Sequence, residues 1–278
     1  MKWNIITDSS SDLSHKIIED SDIQIMTVPL KINIGDKVFC DDENINTTAL
    51  LEAMQSYKQA SSSSCPSPDE FYNAFEMADY SFCSVMSGAL SGTYNSACVA
   101  RDLILEKYPD KKIAVFDSKG TAGMLVLFAR KAEELINKNL SFEEITEKLN
   151  VYIREITLVF TLSSYDNLVK NGRLKPIVGM IASKLKIRTI AVASKEGTID
   201  MIKKLHGAQK TYSAMIEIMC ARKNLSGLPV VIHHCLCNES VEELKVLLAK
   251  QGCTDVTVFE CRGITTYYAM PGGIIISY

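Results

Sequence analysis

YSFCSVMSGALSGTYNSACVARDLILEKYPDKKIAVFDS, residues 80–118, holds the pattern that decides the fold. An apolar run of strand length, Tyr80 to Met86, leads through a small-residue turn into an amphipathic run from Ala97 to Tyr108, and a second apolar strand follows at Ile113 to Phe116. Strand-length runs alternating with longer helical periods predict an α/β fold with mainly parallel sheets flanked by helices. The alternation extends through nearly the whole chain, with further strands expected at Trp3 to Thr7, Ile25 to Ile34, Leu158 to Leu162, Ile187 to Ala193, Val230 to His234, Val256 to Phe259 and Gly273 to Ser277. Helix starts are written in capping boxes at Ser67 to Glu70, where Pro68 takes the first helical position, at Ser141 to Glu144 and at Ser240 to Glu243.

With 278 residues and 47% apolar content, the chain can bury the cores of two ordinary domains. The alternation divides near its middle, into an N-terminal α/β domain at 1–156 and a C-terminal one at 157–278. A net charge of −3 with interspersed signs offers no broad basic face, so nucleic acid is not expected as a partner. No stretch approaches the ~20 consecutive apolar residues of a membrane helix, and the N-terminus lacks the apolar core of a signal peptide, so a cytoplasmic protein is expected. Nine cysteines stand mostly alone inside apolar runs and read as reduced, small hydrophobes. Cys235 and Cys237 after His233-His234 lack the ligand spacing of a structural zinc site, so no metal is expected.

Chemistry concentrates in two hydroxyl-rich stretches, Ser61 to Ser67 and Ser87 to Ala97, each running into a helix. Side-chain hydroxyls beside helix-opening N–H groups form a donor cluster suited to a carboxylate or phosphate. Asp8 to Ser11 and Asp117-Ser118 end two strands in acid and hydroxyl, where ligands of open α/β sheets bind. Asn171-Gly172-Arg173 can present a guanidinium fork to an oxyanion. Two enzyme readings compete: a serine esterase using Ser91, which lacks the leading glycine of a nucleophile elbow, and phosphotransfer on Asp8, which lacks companion carboxylates beyond Asp12.

In their order along the chain, the motifs resemble the DegV family of bacterial fatty acid binding proteins. Thr7-Asp8-Ser9 with Asp12-Leu13 is similar to its opening T-D-S-x-x-D-L, and Val28-Pro29-Leu30 to its V-P-L. Ser63 to Pro68 resembles T-S-Q-P-S-P, Leu90 to Tyr94 with Ser96-Ala97 resembles L-S-G-T-Y-x-S-A, and Asp117 to Lys119 matches D-S-K. Asn171 to Leu174 corresponds to G-G-R-I, and Lys184 to Thr189 to L-L-x-I-K-P. The resemblance implies a two-domain DegV-like fold holding one long-chain fatty acid in a tunnel. Such a protein presents the carboxylate to a separate ATP-dependent fatty acid kinase, has no catalytic residue or cofactor of its own, and leaves room for transient membrane contact. By the same resemblance Ser63, Ser64 and Ser91 would hold the acid head, Gly92 and Thr93 would shape the turn, and Arg173 would lie at the mouth and dock the kinase or its phosphate.

Two departures stand out: Ser63 replaces the threonine of the T-S pair, a loss of one methyl that keeps the hydrogen bond, and the motif T-H-x-G-P-G appears as Tyr267-Tyr268-Ala269-Met270-Pro271-Gly272. Tyr268 occupies the histidine position, keeping a hydrogen-bonding hydroxyl but losing a cation near neutral pH, and Met270 replaces a glycine and is expected to narrow or line the tunnel. A variant that has lost kinase coupling would be a lipid-sensing module. Met86, Leu90, Ile177, Met180 and Ile181 are further expected tunnel residues, or plain core. A tail of roughly 14 to 16 methylenes contributes of order 12 kcal/mol gross on burial, so the head group has only to orient the ligand.

Overall fold

The N-terminal strand forms as β1 (Trp3–Asp8) and becomes the middle of a five-stranded sheet, β2 (Lys16–Ile17), β3 (Ile23–Val28), β1, β7 (Tyr80–Val85) and β8 (Lys112–Asp117) in spatial order. A computed structural model describes residues 2–13, 16–17, 22–175 and 187–278. β1, β3, β7 and β8 pair in parallel. Parallel strands bury both faces. Ile5, Phe82 and Phe116 pack against α4 (Gly123–Asn137) and α5 (Phe142–Glu155), while Ile6, Cys83 and Val85 pack against α2 (Pro68–Glu76) and α3 (Thr93–Lys107).

The single strand expected over Ile25 to Ile34 is broken at Pro29, which cannot donate to a ladder. Beyond it, β4 (Lys31–Ile34) leaves the large sheet and joins β5 (Lys37–Cys40) and β6 (Ser62–Ser64) in a small antiparallel sheet. Three of the four consecutive serines, Ser62 to Ser64, thus form an edge strand. α1 (Thr47–Ser56) lies between β5 and β6 in sequence.

The second large sheet runs β11 (Ile199–His206), β10 (Ile187–Ala193), β9 (Leu158–Thr161), β14 (Ile274–Ser277), β12 (Val230–His234), β13 (Val256–Glu260). Its pairings correct the expectation of mainly parallel sheets for this half of the chain. Only β12 and β13, joined by a helical crossover, are parallel. β10 and β11 form a hairpin, and the last strand, β14, inserts antiparallel between β9 and β12. One face packs on α7 (Ala208–Arg222) and α8 (Asn238–Ala249), the other on α4.

α4 therefore serves both sheets, placing Met124, Val126 and Leu127 in one core and Phe128, Ala132 and Leu135 in the other. Gly123 permits the approach: a Cβ there would lie 2.8 Å from the Cβ atoms of Ser277 and Val231. Two capping boxes form as expected. Ser67 and Ser141 each accept from the backbone of Glu70 and Glu144, and each glutamate accepts the cap N–H in return. Ser240 does not cap: α8 begins earlier, at Asn238, and the Ser240 hydroxyl instead meets the hydroxyl of Tyr212 at 2.9 Å.

Candidate ligand cavity

Strand alternation turns Leu158, Phe160 and Leu162, along β9 and just past its end, to one side, where with Ile275 and Ala193 they form one wall of a cavity. Met86, Leu90 and Gly120, from the turns after β7 and β8, form the opposite wall. Leu30 and Ser63 from beside and within the small sheet, Leu168 and Arg173 from α6 (Asp166–Lys170) and the turn after it, and Ile264, Tyr268 and Ala269 from α9 (Ile264–Ala269) also line it.

Its polar lining includes Ser63, Ser91, Arg173 and Tyr268, together with Ser10, Lys119, Thr121, Thr198 and Thr265. The Ser63 and Tyr268 hydroxyls lie 2.8 Å apart, Ser91 and Arg173 also face the space, and the Arg173 Nε–H donates to the Leu90 carbonyl at 2.9 Å. Burial is the main influence on the Tyr268 phenol and raises its pKa, with the Ser63 hydrogen bond and the Arg173 charge opposing, so it stays a neutral donor at physiological pH. Arg173 pairs with no carboxylate among the described residues.

Not every expected residue joins this cluster. Ser64, next to Ser63 on β6, is exposed and does not line the cavity, because successive strand residues face opposite ways. Gly92 is exposed at the start of α3, and Thr93 is buried with its hydroxyl 2.8 Å from that of Ser91, so both support the turn without lining the space. Met270 also lies outside the lining, and its backbone takes φ 59° and ψ 154°, a conformation natural to glycine. Met86 and Leu90 line the cavity as expected, while Ile177, Met180, Ile181 and the start of the Lys184 to Thr189 segment lie outside the described residues.

The strand-end acids hold the scaffold. Asp8 accepts from Ser10 N, Ser10 Oγ and, at 2.6 Å, Met86 N, and so fixes the turn carrying Met86. Asp117 accepts from Gly88 N at 3.1 Å and from Lys119 Nζ at 2.8 Å. Behind the cavity, Asp12 accepts from Arg262 N and Thr265 Oγ1, and its second oxygen stands 3.6 Å from His233 Nε2, which meets the Ser11 carbonyl at 3.0 Å. Burial, then repulsion from Asp41, raises Asp12, and burial lowers His233 to about 4, so both favour their neutral forms. No cluster of three or more metal-ligating side chains occurs among the described residues.

Sequence reasoning missed two groups. Tyr267, fully buried, contacts Ser61 Oγ at 2.8 Å and Asn171 Nδ2 at 3.0 Å; a tyrosine between Thr266 and Tyr268 carries no local signal of partners so distant in sequence. The β10–β11 turn was also invisible, since its role comes from a long-range contact in which Ser87 Oγ donates to the Gly197 carbonyl at 2.8 Å. At Gly197, φ is +84° and a Cβ would strike Ser87 Oγ at 2.2 Å, so the turn closes against the cavity wall only with glycine.

Two sheets sharing one helix, with an apolar cavity that Ser63, Ser91, Tyr268 and Arg173 line, define an α/β protein with a candidate ligand site. The chain belongs to the DegV family, whose profile matches residues 2–278. It is 34% identical over 281 residues to a DegV domain-containing protein of Streptococcus pneumoniae, covering 100% of this chain and 99% of that protein. Among solved structures it is similar to the Streptococcus pneumoniae Fatty Acid Kinase (Fak) B3 protein loaded with linoleic acid, with a TM-score of 0.96, 34% identity and coverage of 100% and 99%. A DegV family protein from Eubacterium eligens loaded with heptadecanoic acid superposes with a TM-score of 0.94, at 30% identity over 99% and 98% of the two chains. These matches bear out the resemblance and the α/β fold expected from the motifs.

Proposed function

We propose that this protein binds one long-chain fatty acid in the cavity and presents its carboxylate to a separate ATP-dependent fatty acid kinase for acyl phosphate formation. The observation that carries the reading is the convergence of Ser63, Ser91, Tyr268 and Arg173 at one apolar cavity. The tail supplies most of the affinity through burial, and the neutral hydroxyls orient the head. Fatty acids bound in the related structures support the ligand class. Arg173 would neutralise the carboxylate and meet the incoming phosphate, the chain itself moving no phosphoryl group. The acid would be exchanged at a lipid surface by transient contact.

The esterase alternative is disfavoured by the partner of Ser91 Oγ, which is Thr93 and not a histidine. Phosphotransfer on Asp8 is disfavoured because that carboxylate is fully buried and engaged by three donors.

Mass spectrometry of the protein purified from bacteria is expected to find one long-chain acid per chain, and linoleic acid is expected to bind in calorimetry. Absence of both would remove the reading. With kinase and ATP added, acyl phosphate is expected; intact binding without it would select a lipid-sensing role.

A further inference from the structure

We infer that Tyr267, which does not line the cavity, is a positioning residue that sets the geometry of the head-group cluster; this rests on the fatty acid reading above. The three segments that deliver Ser63, Arg173 and Tyr268 are far apart in sequence, yet one phenol touches all of them. Asn171 Nδ2 can only donate, so at 3.0 Å the Tyr267 oxygen accepts from it and its own O–H is free to donate to Ser61 Oγ at 2.8 Å. Ser61 lies two residues before Ser63, and Asn171 two residues before Arg173. Tyr268 follows Tyr267 directly on α9.

Further bonds brace the assembly. Asn167 Nδ2 donates to the Tyr267 carbonyl at 2.7 Å, and Asn171 Nδ2 also donates to the Asn167 carbonyl at 2.8 Å and lies 3.3 Å from the Ser61 carbonyl. Tyr267 is fully buried, so water cannot substitute for a missing partner. The edge strand β6 and the turn after α6 have no direct hydrogen bond between Ser63 and Arg173 among the described residues. Besides the direct bond from Asn171 Nδ2 to the Ser61 carbonyl, their spacing, and therefore the fit to a carboxylate, passes through this phenol, whose two bonds at 2.8 and 3.0 Å are the shorter ones. A purely structural tyrosine would stabilise the fold without affecting which head group is preferred.

The test compares linoleic acid with linoleyl alcohol, which share a tail and differ in the head. Tyr267→Phe keeps the ring and removes the hydroxyl. The acid is expected to weaken about tenfold while the alcohol is unchanged, so the acid-to-alcohol ratio falls. Ser61→Ala, which removes only the acceptor, is expected to lower the same ratio in part and serves if Tyr267→Phe does not fold. An unchanged ratio, or a parallel loss for both ligands, would overturn the inference. A parent protein that binds neither ligand would instead overturn the fatty acid reading, before any variant is made.

Discussion

At Met270 a side chain sits where the backbone suits glycine, since φ 59° with ψ 154° brings a Cβ into steric conflict. Met270→Gly is expected to raise stability by about 1 kcal/mol in denaturant unfolding, the relief of strain exceeding the added chain entropy. Tyr268 carries a second expectation. On the proposed fatty acid reading a neutral phenol adds no charge switch, so affinity for linoleic acid should be flat between about pH 8 and about pH 6. Tyr268→His should make affinity rise as pH falls through about 6.5, because the cationic ring attracts the carboxylate. Calorimetry at several pH values checks this; a flat profile in the variant would place residue 268 away from the head group. Ser63 was legible from its motif, but that it and not Ser64 faces the cavity depended on the pairing Ile32↔Ser63 in the small sheet.

Among the elements, β9 and β10 set the reach of the cavity. From the side of Leu168, whose carbonyl accepts the Arg173 N–H, the lining runs from Leu162 through Phe160 to Leu158, about 13 Å along the chain at ~3.3 Å per residue. Beyond lie Ala193 and Ile199, paired across the hairpin. Ala193 is the small residue there, so Ala193→Leu is expected to weaken stearic acid binding at least fivefold while sparing myristic acid, which competition assays would read. Equal losses would show that the tail ends elsewhere. The strands of this wall were legible as apolar runs. The hairpin partner β11 was not, because Ile199–His206 is largely exposed and its charged residues hide any strand pattern.

For the whole molecule, the buried Asp12–His233 contact joins the turn after β1 to β12, and it couples stability to pH. His233 falls from 6.5 to about 4 in the folded protein, so its contribution is complete above about pH 6.5 and is lost as pH drops towards 4. Asp41 acts oppositely: raised from 3.8 to about 6, it adds relative stability as pH falls through that window. The two largely cancel. His233→Phe would expose the difference: relative to the parent, its unfolding free energy should improve by up to about 3 kcal/mol as pH is lowered from 6.5 to 4, measured by urea titration. A constant difference would mean that His233 titrates normally.

By itself the sequence determined the α/β class, the positions of most central strands, two helix starts and the family, because periodicity, caps and local motifs are short-range properties carried by neighbouring residues. Only the tertiary structure decided that the second sheet is largely antiparallel, that α4 serves both sheets, and that Ser63 rather than Ser64 lines the cavity. The physical reason is that pairing direction, shared burial and long-range hydrogen bonds join residues 100 or more positions apart, as Asn167 joins Tyr267, and nothing in either local stretch records the other.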